Sequence, residues 1–266
     1  RTAILCMIVL LFLLTLSLIG GRKGVYSVVA LIFTFVCIVF LFLPLIYRGV
    51  SPVWAAVLVA ILTTVVTMYL LGGISSKSVT AVVGTVLGVG ISGILAILFG
   101  KWTHISGYNV ADIEQLTYVG QTTNIKIGEL LYAGILISAL GAVMDVAMSI
   151  ASTINEIHFR NPLLSARELF FSGIRVGKDM MGTMSNTLIL AFTGTSINTL
   201  VFLYVYNYST TQIINMYSIG IELIQGIAST MGVILTIPLV SLLSAWHLKR
   251  KEIKIFSKIF QRTGRR

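Results

Sequence analysis

The sequence predicts an all-α fold, a polytopic transmembrane helix bundle of about seven helices. Of its 266 residues, 56% are hydrophobic and only 11% are charged, and the mean hydropathy is +0.97. A soluble domain carries about 25% charged residues. Because each span takes about 20 residues, the chain has room for one membrane domain and for no separate soluble domain.

Seven apolar runs are long enough to cross a bilayer. The first resembles a signal peptide, but it lacks a small-x-small cleavage pattern, and its basic pair, Arg22 and Lys23, follows the run instead of preceding it. We therefore interpret it as a first span. The runs cover residues 3–19, 26–46, 52–71, 78–99, 130–153, 183–206 and 219–246.

The distribution of lysine and arginine predicts the orientation. If the N-terminus is outside, fifteen of the 19 basic residues lie inside and four outside, which agrees with the positive-inside rule. We expect N-out, C-in topology, with a transmembrane domain over residues 1–248 and a basic amphipathic cytoplasmic tail over 249–266. Such a tail binds anionic lipid headgroups. Since this membrane anchor accounts for most of the +10 net charge, we expect no nucleic acid partner.

Asp145 is the residue that most directly suggests a function. It lies in the otherwise apolar run 130–153, where an aspartate costs roughly 2.5 to 3.5 kcal/mol and usually faces a bundle interior or a water-filled path. Gly134, Ser138 and Gly141 share its helical face. Small residues at that spacing predict close helix packing.

A polar stripe continues from Asp145 towards the inner boundary. Ser149, Ser152 and Glu156 follow at steps of four, three and four residues, which keeps them on one face. Such a stripe can hold water and relay protons. The alternative is that Asp145 pairs with a buried donor on another helix and only fixes packing.

The inner connection and the sixth run supply candidate partners for that carboxylate. Ser165 is placed to begin an amphipathic helix lying in the inner interface. Asp179 and Asn186 share a face at the start of the sixth run. We predict that Asn186 hydrogen-bonds Asp145, and Lys178 is a candidate charge partner if the end of the inner helix dips inward.

The seventh run opens with Glu222, followed at helical spacing by Gln225 and Ser229. Under the predicted topology these residues lie near the outer boundary. Glu222 is either the outer station of a transport pathway or a glutamate solvated at the interface.

The fourth run carries a second set of small residues. Gly84, Gly88 and Ser92 recur every fourth residue and predict a face that a neighbouring helix approaches closely. That face serves either tight packing or the sliding of a moving neighbour.

The outer loop 101–128 forms either a short interfacial helix or a connector with a helix cap, and we prefer the connector.

The sequence contains no recognisable catalytic or metal-binding motif. Its three histidines and two cysteines lack metal-ligand spacing, and it contains no nucleophile elbow, Walker loop, dinucleotide fingerprint or zincin motif. We therefore expect no metal, no cofactor and no enzymatic activity.

Residues 133–190 resemble the YibE/F family of bacterial multi-pass membrane proteins. The resemblance is clearest in GAVMDVAMSIAS, residues 141–152, and in GKDMMGTMSNTLILA, residues 177–191. It implies a multi-pass protein of the bacterial plasma membrane. The G-x-x-x-D element of Gly141 and Asp145, followed by Glu156, also resembles the membrane half of SecD/SecF and other RND-type proteins. In those proteins such an aspartate serves proton-coupled work.

These features predict a transporter or proton-coupled membrane module centred on Asp145. The alternative is a non-catalytic scaffold or permease subunit that uses its glycine faces to contact a second membrane protein. That protein would be a paralogous subunit or a second copy of the chain, in addition to the lipid bilayer itself.

Overall fold

The computed structural model describes the backbone of residues 1–110 and 113–263 and the side chains of residues 1–110 and 113–250. Within these residues every regular element is a helix, which confirms the predicted all-α class. A π-helical turn, Ile38–Phe42, joins α1 to α2, and a 3-10 turn, Gly107–Asn109, precedes α5. The helices are α1 (Thr2–Cys37), α2 (Leu43–Tyr47), α3 (Pro52–Gly72), α4 (Ser76–Thr103), α5 (Ile113–Thr122), α6 (Ile127–Arg160), α7 (Ala166–Thr195), α8 (Ile197–Val205), α9 (Thr210–Ile214) and α10 (Tyr217–Thr263).

The chain is a multi-pass membrane protein. Among the described residues, five helices are long and apolar enough to cross a bilayer, and the pair α7 and α8, bent by 61°, raises the count to six. The predicted count of seven is not confirmed, because the first two predicted spans lie in one 46-residue helical unit, Thr2–Tyr47. The N-out, C-in orientation stays a prediction.

That first helical unit is sharply interrupted at Gly21. This residue has φ 54° and ψ −134°, a conformation that glycine adopts at little cost. A straight helix would separate Leu16 from Gly24 by about 12 Å along its axis, yet a Cβ on Gly24 would overlap the Leu16 carbonyl oxygen. The chain therefore folds back between the two predicted runs. Residues 2–20 bury no side chain.

Helices α6 and α10 form the centre of the bundle. Helix α10 packs along α4, α6 and α7, while α6 also contacts α3 and α4. The buried face of α6 includes Leu136, Val143, Ile150 and Ile154. Since α1 packs mainly on α3, the first helix lies at the periphery.

The inner connection and the sixth span form a single helix instead of two. Helix α7 begins after Ser165, as predicted, with a reciprocal capping box. The backbone N–H of Glu168 donates to the Ser165 hydroxyl over 3.3 Å, and the N–H of Ser165 donates to the Glu168 carboxylate over 2.7 Å. The helix runs on to Thr195, so the predicted amphipathic helix continues directly into the sixth run, and its position in the inner interface stays a prediction. It breaks at Ser196 before α8.

Two further predictions, for the outer loop 101–128 and for the tail 249–266, can be compared with the structure. The outer loop contains the ten-residue helix α5, so the preferred connector was wrong. Helix α10 passes residue 248 without interruption and continues to Thr263. The amphipathic tail, 249–266, falls mostly outside the described side chains, and its binding to anionic lipid stays a prediction. Lys249 Nζ donates to the Pro162 carbonyl over 2.8 Å, which links α10 to the turn before α7.

Candidate functional site

The small residues of α4 lie directly against α10. A Cβ on Gly84 would overlap the Val240 side chain, and a Cβ on Gly88 would overlap Thr236. One turn further along, the Ser92 hydroxyl donates to a backbone carbonyl of α10. Residues of this size let two helix backbones approach closely. We call this contact the α4–α10 seam.

Buried hydroxyls accompany the glycines in the α4–α10 seam. Ser244 and Thr80 share a hydrogen bond of 3.1 Å across it. On α4 the Thr85 hydroxyl is buried without a partner among the described residues, and the same holds on α10 for Ser229 and for Ser241, which faces Gly173 of α7 and not α4. The interface is thus polar as well as closely packed.

Sequence reasoning found one side of this seam and missed the other. Gly232 and Thr236 on α10 face Ser92 and Gly88 of α4. The signal was present in the sequence, because α10 carries small or β-branched residues at every fourth position. These are Ala228, Gly232, Thr236, Val240 and Ser244.

Asp145 lies on the side of α6 that the other described helices leave uncovered. It comes two residues after the fully buried Val143, which places it about 200° away around the helix. The residue is exposed, as are Gly134 and Gly141 on the same face. Nothing lies within 4 Å of a Cβ built on either glycine. The two glycines therefore pack against no described helix, contrary to the prediction, whereas Ser138 accepts a 3.4 Å hydrogen bond from Gln225 of α10.

The predicted partners of Asp145 do not engage it. Among the described residues, no hydrogen bond or ion pair joins its carboxylate to Asn186, to Lys178 or to any other group. Helix α7 buries Gly177 against α10, and Asn186 follows nine residues later, half a turn around the helix. Lys178 and Asp179 are exposed as well. All three polar side chains lie away from the packed face of α7.

The stripe beyond Asp145 is polar but is not joined by direct hydrogen bonds. Ser149 and Ser152 are half-buried. The Ser152 hydroxyl donates to the Met148 sulfur over 3.6 Å. Glu156 is exposed and accepts a 2.8 Å hydrogen bond from Arg160 Nε, in an ion pair one turn apart. A proton path along this face would therefore need water between its members.

A cavity of about 310 Å³ lies between α1, α3 and α6, next to this face. Gly141 and Met144 form part of its wall on α6. On α3 it is lined by Thr67, whose buried hydroxyl has no partner among the described residues. The open space beside Gly141 is thus part of a larger cleft one turn from Asp145.

Glu222 lines a different cavity, of about 230 Å³, at the break between α7 and α8. Its carboxylate has no hydrogen bond or ion pair with any described residue. The remaining wall is apolar except for two hydroxyls. It comprises Ile189, Phe192, Thr193, Ser196, Leu200, Ile219, Leu223, Gly226 and Ile227.

Within the described part of the chain, no three histidine, cysteine or acidic side chains come together as a possible metal site. Cys6 is exposed and Cys37 is buried, and both are free thiols.

Comparison with known proteins identifies the family. The model of the family described as YibE/F-like protein matches residues 8–250, which includes α6, α7 and most of the described α10. No curated protein and no solved structure matches the chain. The match covers nearly the whole sequence and agrees with the resemblance noted in residues 133–190, and the chain therefore belongs to the YibE/F-like family.

Proposed function

We propose that this protein is a non-enzymatic transporter or proton-coupled module of the bacterial plasma membrane, with Asp145 held inside the bilayer as its titrating or ion-binding group. The observation that carries the proposal is the unpaired Asp145 carboxylate near the middle of α6, a 34-residue apolar helix. A carboxylate at such a position is costly, and ionisable residues of spans commonly mark ion or proton pathways.

The absence of a protein partner among the described residues favours transport over simple packing. A carboxylate that fixes two helices needs a donor on the second helix, whereas Asp145 has none there. An unpaired group can bind a proton or a cation and release it again. The likeness of the Gly141 and Asp145 element to RND-type membrane domains supports the same chemistry.

The broken helix formed by α7 and α8 is a second supporting feature. Discontinuous helices occur in transporters where substrates and coupling ions bind, and this pair bends by 61° at Ser196. On the inner side of Asp145, Ser149 and Ser152 supply hydroxyls for water. We infer that a hydrated path follows this face of α6 to Glu156.

Proteoliposomes test the proposal. We expect wild-type protein to dissipate an imposed pH gradient when the correct solute is present, in a screen of common cations and small metabolites. Asp145→Asn should abolish this flux, because the amide neither binds nor releases a proton, and Asp145→Glu should retain part of it. Solute-dependent flux that is equal in wild type and in correctly folded Asp145→Asn would contradict the proposal.

A scaffold or permease subunit is the second candidate, and the exposed glycines of α6 favour it. Gly134 and Gly141 leave open space on the face that carries Asp145, and such a face admits a close helix from a paralogous subunit or a second copy. Co-purification of a stoichiometric membrane partner that is lost in Gly134→Leu, together with full function of Asp145→Asn, would establish this alternative.

A further inference from the structure

We propose that the cavity at the break between α7 and α8 binds a small organic ammonium ion, held by the Glu222 carboxylate. This site is separate from the proposed role of Asp145, which lies on α6, and it does not depend on that role. The cavity lies between the end of α7, the start of α8 and the first turns of α10.

The charge of the cavity fixes the sign of its ligand. Among the described residues that line the cavity, Glu222 is the one ionisable side chain, and none is a lysine, an arginine or a histidine. The Glu222 carboxylate has no partner among the described residues, so no described side chain compensates its charge. A carboxylate in apolar surroundings is stabilised most by a cation that donates hydrogen bonds to it.

The apolar wall distinguishes an organic cation from a metal ion. Hard metal ions take six or more oxygen ligands, and the side chains here offer one carboxylate and the two hydroxyls of Thr193 and Ser196. The Thr193 hydroxyl already donates to the Ile189 carbonyl over 2.8 Å. Most of the surface comes instead from Phe192 and from aliphatic side chains. An organic ammonium ion fits both features, because its ammonium group can bind the Glu222 carboxylate while its hydrocarbon part packs against the apolar wall.

The size of the cavity limits the ligand. Its volume of about 230 Å³ is slightly below the roughly 300 to 1,000 Å³ that is usual for sites of drug-sized molecules. A monoamine with one ring or a short branched chain is therefore the expected class. The Cα of Gly226 forms part of the wall, and a Cβ there would come within 3.6 Å of the Phe192 ring. A larger side chain at this position would occupy the cavity.

Benzylammonium is a suitable probe, with benzyl alcohol as its neutral counterpart of nearly equal size. Binding to the full chain in lipid nanodiscs can be measured by equilibrium dialysis. We expect wild type to bind benzylammonium roughly tenfold or more tightly than benzyl alcohol, since a hydrogen bond to a charged group contributes that much to affinity. Glu222→Gln should remove this preference, and Gly226→Leu should weaken the binding of both compounds.

Glu114→Gln on α5 is the matched control, since it removes an exposed carboxylate that lies outside the cavity. It should leave both affinities unchanged. Equal affinity of wild type for the charged and neutral probes, no binding of benzylammonium, or a charge preference that survives in Glu222→Gln would each overturn the proposal. The comparison of the two probes on wild type needs no variant, so it decides the matter even if a substitution impairs folding.

Discussion

The Ser92 hydroxyl on α4 donates a 3.0 Å hydrogen bond to the Ala228 carbonyl on α10. The contact is possible because Gly232, one turn further along α10, brings no side chain between the two helices. A Cβ there would lie 2.7 Å from the Ser92 Cβ and 3.2 Å from the Gly88 carbonyl oxygen. Helices α4 and α10 are therefore held at a distance that requires glycine at position 232.

Gly232→Ala should destabilise the protein. The new methyl group would meet a Cβ and a backbone oxygen, and neither can move by side-chain rotation. Overpacking of this kind lowers the free energy of unfolding by about 1 to 3 kcal/mol. The better helix propensity of alanine raises it by at most about 1 kcal/mol. The free energy of unfolding in mixed micelles measures the net effect. Gly90→Ala on α4 is the control, since nothing lies within 4 Å of its Cβ position, and it should not lower stability. Equal effects of the two variants would contradict the close packing of α4 on α10.

Gly177→Ala should weaken the packing of α7 on α10. Its methyl group would overlap Ile237 Cγ2 and lie 3.2 Å from Ile237 Cβ, and a β-branched side chain in a helix has little rotameric freedom. We expect a loss of about 1 kcal/mol or more after the gain in helix propensity. Thermal unfolding followed by circular dichroism measures it. Gly182→Ala, five residues further along the same helix and with nothing within 4 Å, should match or exceed wild-type stability.

Ser51→Ala should loosen the connection between α3 and α6. Ser51 is the N-cap of α3, yet its hydroxyl makes no cap bond and donates instead to the Glu129 carboxylate in the first turn of α6. A hydrogen bond to a charged group contributes about 1.5 to 3 kcal/mol, and partial exposure places this one near the lower value. The measurement is the midpoint of denaturation in SDS. Ser172→Ala removes a hydroxyl that bonds only within its own helix and should change the midpoint less than Ser51→Ala does.

A cysteine at position 145 should react with a membrane-impermeant maleimide. The test uses a background in which Cys6 and Cys37 are replaced, because these are the chain's two native thiols. The proposed hydrated path along the uncovered face of α6 reaches position 145, and labelling requires the ionised thiol that water supports. The adjacent Val146 is fully buried, and a cysteine there should stay unlabelled. Protection of position 145 in the membrane would contradict the proposed hydrated path, because it would show that lipid or a partner covers this face.

The helices could be predicted because the relevant information is local. A span must satisfy all of its own backbone hydrogen bonds, so an apolar run of sufficient length is enough to predict a helix. The capping box at Ser165 and Glu168 is also written in four consecutive residues. The break at Gly21 falls between the first two predicted runs, 3–19 and 26–46.

Which side of each helix packs against a neighbour does not follow from local sequence, and some predictions of this kind were right and others were wrong. Gly88 and Gly141 each belong to a row of small residues at helical spacing. Among the described helices, however, only Gly88 has another helix packed against it. What separates them is the position of α10, whose contacting residue Thr236 lies 148 residues (236 − 88) after Gly88. The side of α7 that carries Asn186 was misjudged for the same reason. By contrast, the pairing of Glu156 with Arg160 follows from their spacing of four residues and could have been foreseen.

Helix α10 is synthesised after every helix it packs against. Until it enters the bilayer, the seam face of α4 and the Gly173 and Gly177 face of α7 lack the helix that covers them. Helices α3, α4 and α6 can already pack on one another, but the bundle stays open on the side that α10 fills. A defect in α10 would therefore leave the preceding helices inserted and in partial contact, with the interfaces on α4, α6 and α7 incomplete.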